Sequence, residues 1–291
     1  MNKNNLFFLS ILLIIIITYS CSAFKNSLQI KNYVLIKTDH GDFIIGLYEG
    51  TSLHNENFLK NISSDVYDSC LIYSVIPNGL MKAGLPEKSD ENDMLNDNIL
   101  QNSLKPEMNP KLINKTGAVG MLRLSDDQNP EMLSDSRLFY LVEGIQMDAK
   151  ILKTLEAKRN APVIADYLTV YLNNAENRIY KDSLDYYKME GKKKEWSRLY
   201  AELTKEVVPI IESDGKKLYE ISKYQTNMYS SVGGAPVYDG QYTVFGEIVS
   251  GIEILKKLSM IKTGIYNKPK QNIYILSTEK LTKREFKELN K

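Results

Sequence analysis

The chain has 291 residues, 43% of them hydrophobic and 25% charged, and 37 Lys and Arg against 36 Asp and Glu leave a formal net charge of +1. This is globular composition, enough for one sizeable core and an accessory element. The near-neutral balance argues against nucleic acid, whose phosphates demand a net basic patch or stripe.

Lys3 gives a short positive start, and Leu6 to Ile17 form an apolar run of about a dozen residues ending in Thr18-Tyr19-Ser20-Cys21. A bilayer span needs roughly 20 residues, so the run fits a signal-peptide core better. A small residue directly before cysteine resembles a bacterial lipobox, although Thr18 and Tyr19 depart from its usual branched aliphatic and small residues. Residues 1–21 are therefore expected to be a lipoprotein signal, with cleavage before Cys21 and acylation of its thiol. A cleaved secretory signal and an uncleaved anchor remain the alternatives. Two acyl chains suffice for stable anchoring to a membrane. Only Cys21 and Cys70 exist, so lipidation would leave Cys70 without a disulfide partner, as a buried structural thiol.

After a tether over 22–31, two β-rich runs, Tyr33 to Thr38 and Phe43 to Tyr48, flank Asp39-His40-Gly41-Asp42 and predict a hairpin. A helix is expected over Leu53 to Ile62, with Leu53, Phe58, Leu59 and Ile62 on its apolar side and Ser52 as N-cap. Further strands are expected at Leu71 to Ile76, Leu80 to Ala83, Ala118 to Leu124 and Arg137 to Val142. Between Pro86 and Pro110 the chain is polar and acidic; it lacks EF-hand spacing and reads as a solvated loop.

From 148 to 230 the pattern becomes helical. Pro162 opens one expected helix running to Met189, and a second runs from Lys193 towards Val208 with Trp196, Leu199, Tyr200 and Leu203 on one face. That aromatic stripe reads first as packing between helices and second as a partner surface. β character returns at Tyr242 to Ile248, followed by a helix over Ser250 to Met260 and a strand over Asn272 to Leu276. The organisation is thus a β-rich domain (32–147 and 231–291) interrupted by a helical insertion (148–230).

Several of these segments resemble the cyclophilin family of peptidyl-prolyl cis-trans isomerases, in the family's order. They are the opening hairpin, His54-Asn55-Glu56-Asn57-Phe58-Leu59, the gapless stretch Leu71 to Pro86, and Phe139-Tyr140-Leu141-Val142. The most specific is Gly233-Gly234-Ala235-Pro236-Val237-Tyr238-Asp239-Gly240-Gln241-Tyr242-Thr243-Val244-Phe245-Gly246-Glu247-Ile248. Bacterial lipoprotein members of the Bacteroidetes type carry a similar string and a helical insertion before the double glycine. The resemblance implies a mainly β fold: a closed eight-stranded antiparallel barrel capped by two helices. It implies no cofactor, proline-containing peptide segments or an envelope protein as partner, and a place on the bacterial cell envelope.

Isomerisation needs no nucleophile. The family grips the proline ring in an apolar cleft and sets an arginine beside the imide nitrogen, which favours the twisted amide. Carried over one at a time, the arginine falls on Ser74, its preceding histidine on Tyr73, and the cleft phenylalanine and methionine on Gly79 and Leu80. One glutamine falls on Lys82 and the other on Leu138. The small wall residue falls on Leu122, the deep phenylalanine on Tyr140, the cleft tryptophan on Val237, its neighbouring leucine on Tyr238, and the rim histidine on Tyr242. No catalytic position is intact, and Leu80, Leu122, Leu138, Phe139, Tyr140 and Tyr238 are expected to line what remains of the groove. The activity is therefore expected to be weak or absent, and a non-catalytic binding scaffold is the alternative. Arg123 is expected at the groove rim or facing solvent. His40 and His54 lack metal-ligand spacing, so no metal site is readable.

Overall fold

The computed structural model describes residues 28–90 and 102–290. The expected signal, Cys21 and most of the tether lie outside the described residues. Contacts divide the described residues into two units, one of those up to 146 and from 227 onward and the other of residues 147–226.

The first unit is built on eight antiparallel strands: β1 (Ile30–Thr38), β2 (Gly41–Tyr48), β3 (Cys70–Val75), β4 (Leu80–Pro86), β5 (Ala118–Met121), β6 (Phe139–Val142), β7 (Val244–Ser250) and β8 (Ile275–Leu281). They pair in the order β3-β4-β6-β5-β7-β2-β1-β8. The outer strands approach each other through an isolated Leu71–Tyr274 bridge and the hydrogen bonds Ile72 N to Ile273 O (2.9 Å) and Ser69 N to Ile275 O (2.8 Å). The barrel is thereby nearly closed, which leaves little unpaired sheet edge. Every one of its strands lies after residue 28.

Strand alternation decides what fills the barrel. Val34 and Ile36 of β1, Phe43, Ile45 and Leu47 of β2, and Phe139 and Leu141 of β6 all enter one interior cluster. Helix α1 (Ser52–Ser63) adds Phe58, whose ring meets Tyr67, Phe139 and Phe245 at centroid distances of 5.2, 5.4 and 5.1 Å. A later helix, Ile252–Ser259, adds Ile254, Leu255 and Leu258 to the same cluster.

Thr51, not Ser52, occupies the N-cap of α1, and no side chain from the cap itself bonds the helix. Glu107 supplies that role from a distant loop, accepting from the backbone N–H of Leu53 (3.1 Å) and His54 (3.0 Å). A carboxylate there satisfies orphan donors and complements the positive end of the helix.

The second unit contains helices α2 (Ala149–Asn173), α3 (Arg178–Met189) and α4 (Lys193–Ser213). The helix expected to open at Pro162 starts thirteen residues earlier, where Asp148 caps Ile151 N at 2.8 Å. It ends before Asn174, so the single helix expected to reach Met189 is two. Leu168, Leu184, Leu203, Val207 and Ile211 form this unit's own core. Trp196 stacks at 4.8 Å on Tyr200 of the same helix, and both rings pack against that core.

The remaining helices are α5 (Lys223–Ser231), α6 (Ile252–Ser259) and α7 (Lys283–Leu289). The last strand runs later than expected, over Ile275–Leu281 rather than Asn272–Leu276. Helix α7, which the sequence reading did not anticipate, is held by a Thr282/Glu285 capping box and by Phe286 stacked on Tyr33 at 3.9 Å. Among the described residues, no helix is long and apolar enough to cross a membrane.

Candidate functional site

The outward face of β3, β4, β6, β5 and β7 carries the positions singled out in the sequence. Ser74 pairs with Lys82, Lys82 with Tyr140, Tyr140 with Gly120, and Gly120 with Val244. Directly paired residues of antiparallel strands point to the same side. One cross-strand row therefore holds the serine, the lysine and the tyrosine.

Leu122 and Leu138 lie alongside, joined by the bond from Leu122 N to Leu138 O at 2.9 Å. Both belong to one buried cluster with Tyr73, Leu80, Tyr140, Val142 and Val244, against which Tyr238 and Tyr242 pack. The Tyr140 and Tyr242 rings meet edge to face at 5.6 Å, and Tyr242 meets Tyr238 at 5.7 Å. Phe139 is not among them. It sits on the opposite side of β6, inside the barrel against Phe58 and Tyr67, because its neighbour Tyr140 takes the outward position.

This face is filled. Leu80, Leu122, Leu138 and Tyr140 are all buried. Tyr140 reaches across Gly120, where even a methyl group would overlap its ring. Its hydroxyl donates to Asn114 Oδ1 at 2.7 Å. Asn114 in turn donates through Nδ2 to Asp239 Oδ1 (3.0 Å), and Tyr229 donates to Asp239 Oδ2 (2.6 Å). Burial first, then the neighbouring Tyr242, Asp239 and Tyr238, holds the Tyr140 hydroxyl well above its ordinary pKa, so it remains a donor.

Two arginines lie in this region of the chain. Arg123 is buried rather than facing solvent, and its guanidinium stands 5.2 Å from the Tyr242 ring centroid. It donates to Gln241 O through Nε, to Leu124 O (2.9 Å) and to Gln241 Oε1 (2.9 Å), and it pairs with Asp126 at 2.7 Å. These partners tie it to the loops beside Tyr242. Arg137 donates to Val66 O at 2.8 Å and approaches the Cys70 sulfur at 3.5 Å, at the start of β3. Cys70 itself is buried.

A second polar cluster escaped the sequence reading. His54 Nδ1 lies 2.7 Å from Glu107 Oε2, and its Nε2 lies 3.0 Å from Ser134 Oγ. The order serine, imidazole, carboxylate is that of a nucleophile relay. Ser134 and His54 are both buried, however, so the array is a clamp between α1 and two loops. No group of three or more His, Cys, Asp or Glu among the described residues could hold a metal ion.

The family model for cyclophilin type peptidyl-prolyl cis-trans isomerase/CLD matches residues 33–142 and 222–280. The chain belongs to this family. The matched segments cover six barrel strands in full and most of β1 and β8, and leave out α2, α3 and α4.

A Streptococcus pyogenes protein, named for both a phosphatase and a peptidyl-prolyl cis-trans isomerase, is 21% identical over 249 residues; these span 84% of this chain but 38% of that protein. A cyclophilin type peptidyl-prolyl cis-trans isomerase from Cryptosporidium parvum is 14% identical, with a TM-score of 0.48, over 86% of this chain and 98% of its own. The same Cryptosporidium protein solved in the presence of the dipeptide Ala-Pro gives a TM-score of 0.47 at 14% identity, over 87% and 99% of the two chains.

Proposed function

We propose that this cyclophilin-type protein is a lipid-anchored component of the bacterial cell envelope whose isomerase chemistry is weak or lost. Its remaining task is to hold proline-containing segments or an envelope protein against the barrel wall. The observation that carries this reading is the row Ser74–Lys82–Tyr140 beside a buried Leu122–Leu138 pair.

Rotation about a prolyl bond faces a barrier of about 18–20 kcal/mol set by amide resonance. Lowering it calls for a preorganised donor beside the imide nitrogen and a pocket shaped for the twisted ring. Ser74 has neither the charge nor the reach of a guanidinium. Lys82 brings an ammonium into the same row, without the planar fork. Removing one preorganised donor commonly costs about 10²- to 10³-fold in rate. By the resemblance, Leu122 stands where the family keeps a small residue at the cleft wall, so its added atoms overfill a pocket sized for a proline ring.

Anchoring rests on the sequence Leu6 to Cys21. Metabolic labelling with an alkyne fatty acid should tag the wild-type chain in its native host and leave Cys21→Ser untagged; label retained on Cys21→Ser contradicts the anchor. For the wall, the isotope-labelled chain from residue 28 is titrated with a proline-containing peptide. Saturable shifts centred on Leu122, Tyr140, Tyr238 and Tyr242 support binding there. Shifts confined to the helical unit would move the partner surface to α2, α3 and α4.

A further inference from the structure

Between Glu253 and Glu279 the chain carries five lysines, Lys256, Lys257, Lys262, Lys268 and Lys270, and no carboxylate. All five side chains are exposed. The segment that follows α6 folds back on itself in a short ordered loop. Lys270 N donates to Lys262 O at 2.9 Å, Thr263 bridges Pro269, and Gly264 N donates to Lys268 O at 2.8 Å. Pro269 is buried and fixes the base.

The tip of this loop is Ile265-Tyr266-Asn267. Ile265 is 80% and Tyr266 92% exposed, and Met260, just before the loop, is 71% exposed. Tyr266 has φ 57° and Asn267 φ 59°, both in the left-handed region. A tyrosine holds that conformation only when its surroundings impose it, and such positions gather at functional surfaces. Here the closing backbone bonds impose it while the two largest apolar side chains of the tip are left in water.

We propose that this loop docks onto an anionic lipid bilayer surface. Tyr266 would enter at headgroup level, where a ring with a polar end is favoured, and Ile265 would enter beside it. The lysines would meet lipid phosphates, with their methylene stems lying along the apolar boundary. A solvated charged face would need no exposed isoleucine and tyrosine at its summit, and an apolar protein partner would need no lysine on each side of it. The combination fits an interface that is apolar inside and anionic at its edge. The proposal is independent of acylation at Cys21, so its test uses the chain from residue 28, which contains every barrel strand.

The test is co-sedimentation with vesicles of phosphatidylcholine alone and of phosphatidylcholine mixed with phosphatidylglycerol. Binding is expected on the mixed vesicles, reduced by salt and nearly absent on neutral ones. Each lysine near the surface is worth about five-fold in affinity. Lys262→Gln/Lys268→Gln/Lys270→Gln should therefore weaken binding by about 100-fold. Ile265→Ser/Tyr266→Ser should weaken it with the lysines intact, and Tyr266→Trp should add a blue-shifted emission to the Trp196 signal when vesicles are present. These residues are exposed, so unchanged circular dichroism is expected for every variant. No binding to anionic vesicles would overturn the proposal. So would binding that the serine variant leaves unchanged, because simple attraction between a basic segment and any acidic surface would then suffice.

Discussion

Gly120→Ala probes the filled wall where its packing is tightest. In an ordinary strand this change is favourable by roughly 0.5–1 kcal/mol, because alanine loses less backbone freedom than glycine. At Gly120 the added methyl meets the Tyr140 ring, flanked by Leu122 and Leu138 in the same cluster. Overfilling of a packed site costs about 1–3 kcal/mol. Displacing the ring also breaks its hydroxyl bond to Asn114, and a buried acceptor left unsatisfied costs about 1–3 kcal/mol more. The steric and polar terms outweigh the backbone term, and the expected net destabilisation is about 2–4 kcal/mol. Urea unfolding of the chain from residue 28 measures it. Amide NMR signals of Val119 and Leu141 are the appropriate readout for the barrel, because the only tryptophan, Trp196, lies in the helical unit and tyrosines lie in both units. The reasoning also demands coupling: in a Tyr140→Leu background the same Gly120→Ala change should be neutral or stabilising. A single-variant effect within about 0.5 kcal/mol of zero, or strict additivity of the two changes, would refute a tyrosine packed across Gly120.

The Glu107 clamp gives a pH dependence. Burial alone would raise this carboxyl's pKa, but bonds from the His54 ring and from the His54 and Leu53 backbone lower it below the ordinary 4.5. A depressed folded pKa contributes stability that is full above the unfolded value and is lost as pH falls through the folded one. Wild-type stability should therefore decline below about pH 4.5 more steeply than that of Glu107→Ala. At neutral pH that variant should lose about 1–3 kcal/mol, from the missing cap and the stranded His54 donor; urea midpoints at matched pH values check both. Cys70 is buried, and it is the only thiol after residue 28. A disulfide reagent should therefore leave the native chain from residue 28 unmodified over the time in which the urea-unfolded chain reacts fully; prompt native labelling would contradict the packing of β3.

The barrel was readable where local pattern and tertiary role agree. β1 and β2 flank a Gly-containing turn, and Val34, Ile36, Phe43, Ile45 and Leu47 enter the interior while Leu35 and Ile44 pack in a separate cluster with Leu281. β8 was misplaced because Ser277, Thr278, Glu279 and Lys280 dilute the apolar signal of its second half, while the more apolar Asn272 to Tyr274 forms the approach to it. Helix α7 has a legible sign in Thr282-Lys283-Arg284-Glu285, which carries capping-box spacing. The early start of α2 was obscured by Pro162, which the helix accommodates in its interior.

Within the candidate site, the residue types were recoverable from the resemblance, but parity was not. Phe139 and Tyr140 are adjacent and similar in character, and only strand pairing assigns one to the interior and the other to the wall. The partners of long range left no local trace at all. Glu107 capping α1, Asn114 receiving the Tyr140 hydroxyl, and Gln241 holding Arg123 each join segments that the sequence separates widely.

Magnetisation-exchange NMR on a short peptide containing a single X-Pro bond tests the proposed loss of isomerase chemistry most directly. With the chain from residue 28 at equimolar ratio, the cis-to-trans rate should stay at the spontaneous value, since Ser74 supplies no guanidinium and Leu122 with Tyr140 fills the wall. A marked acceleration that Leu122→Asp or Tyr242→Ala abolishes would contradict this and make the protein a working isomerase.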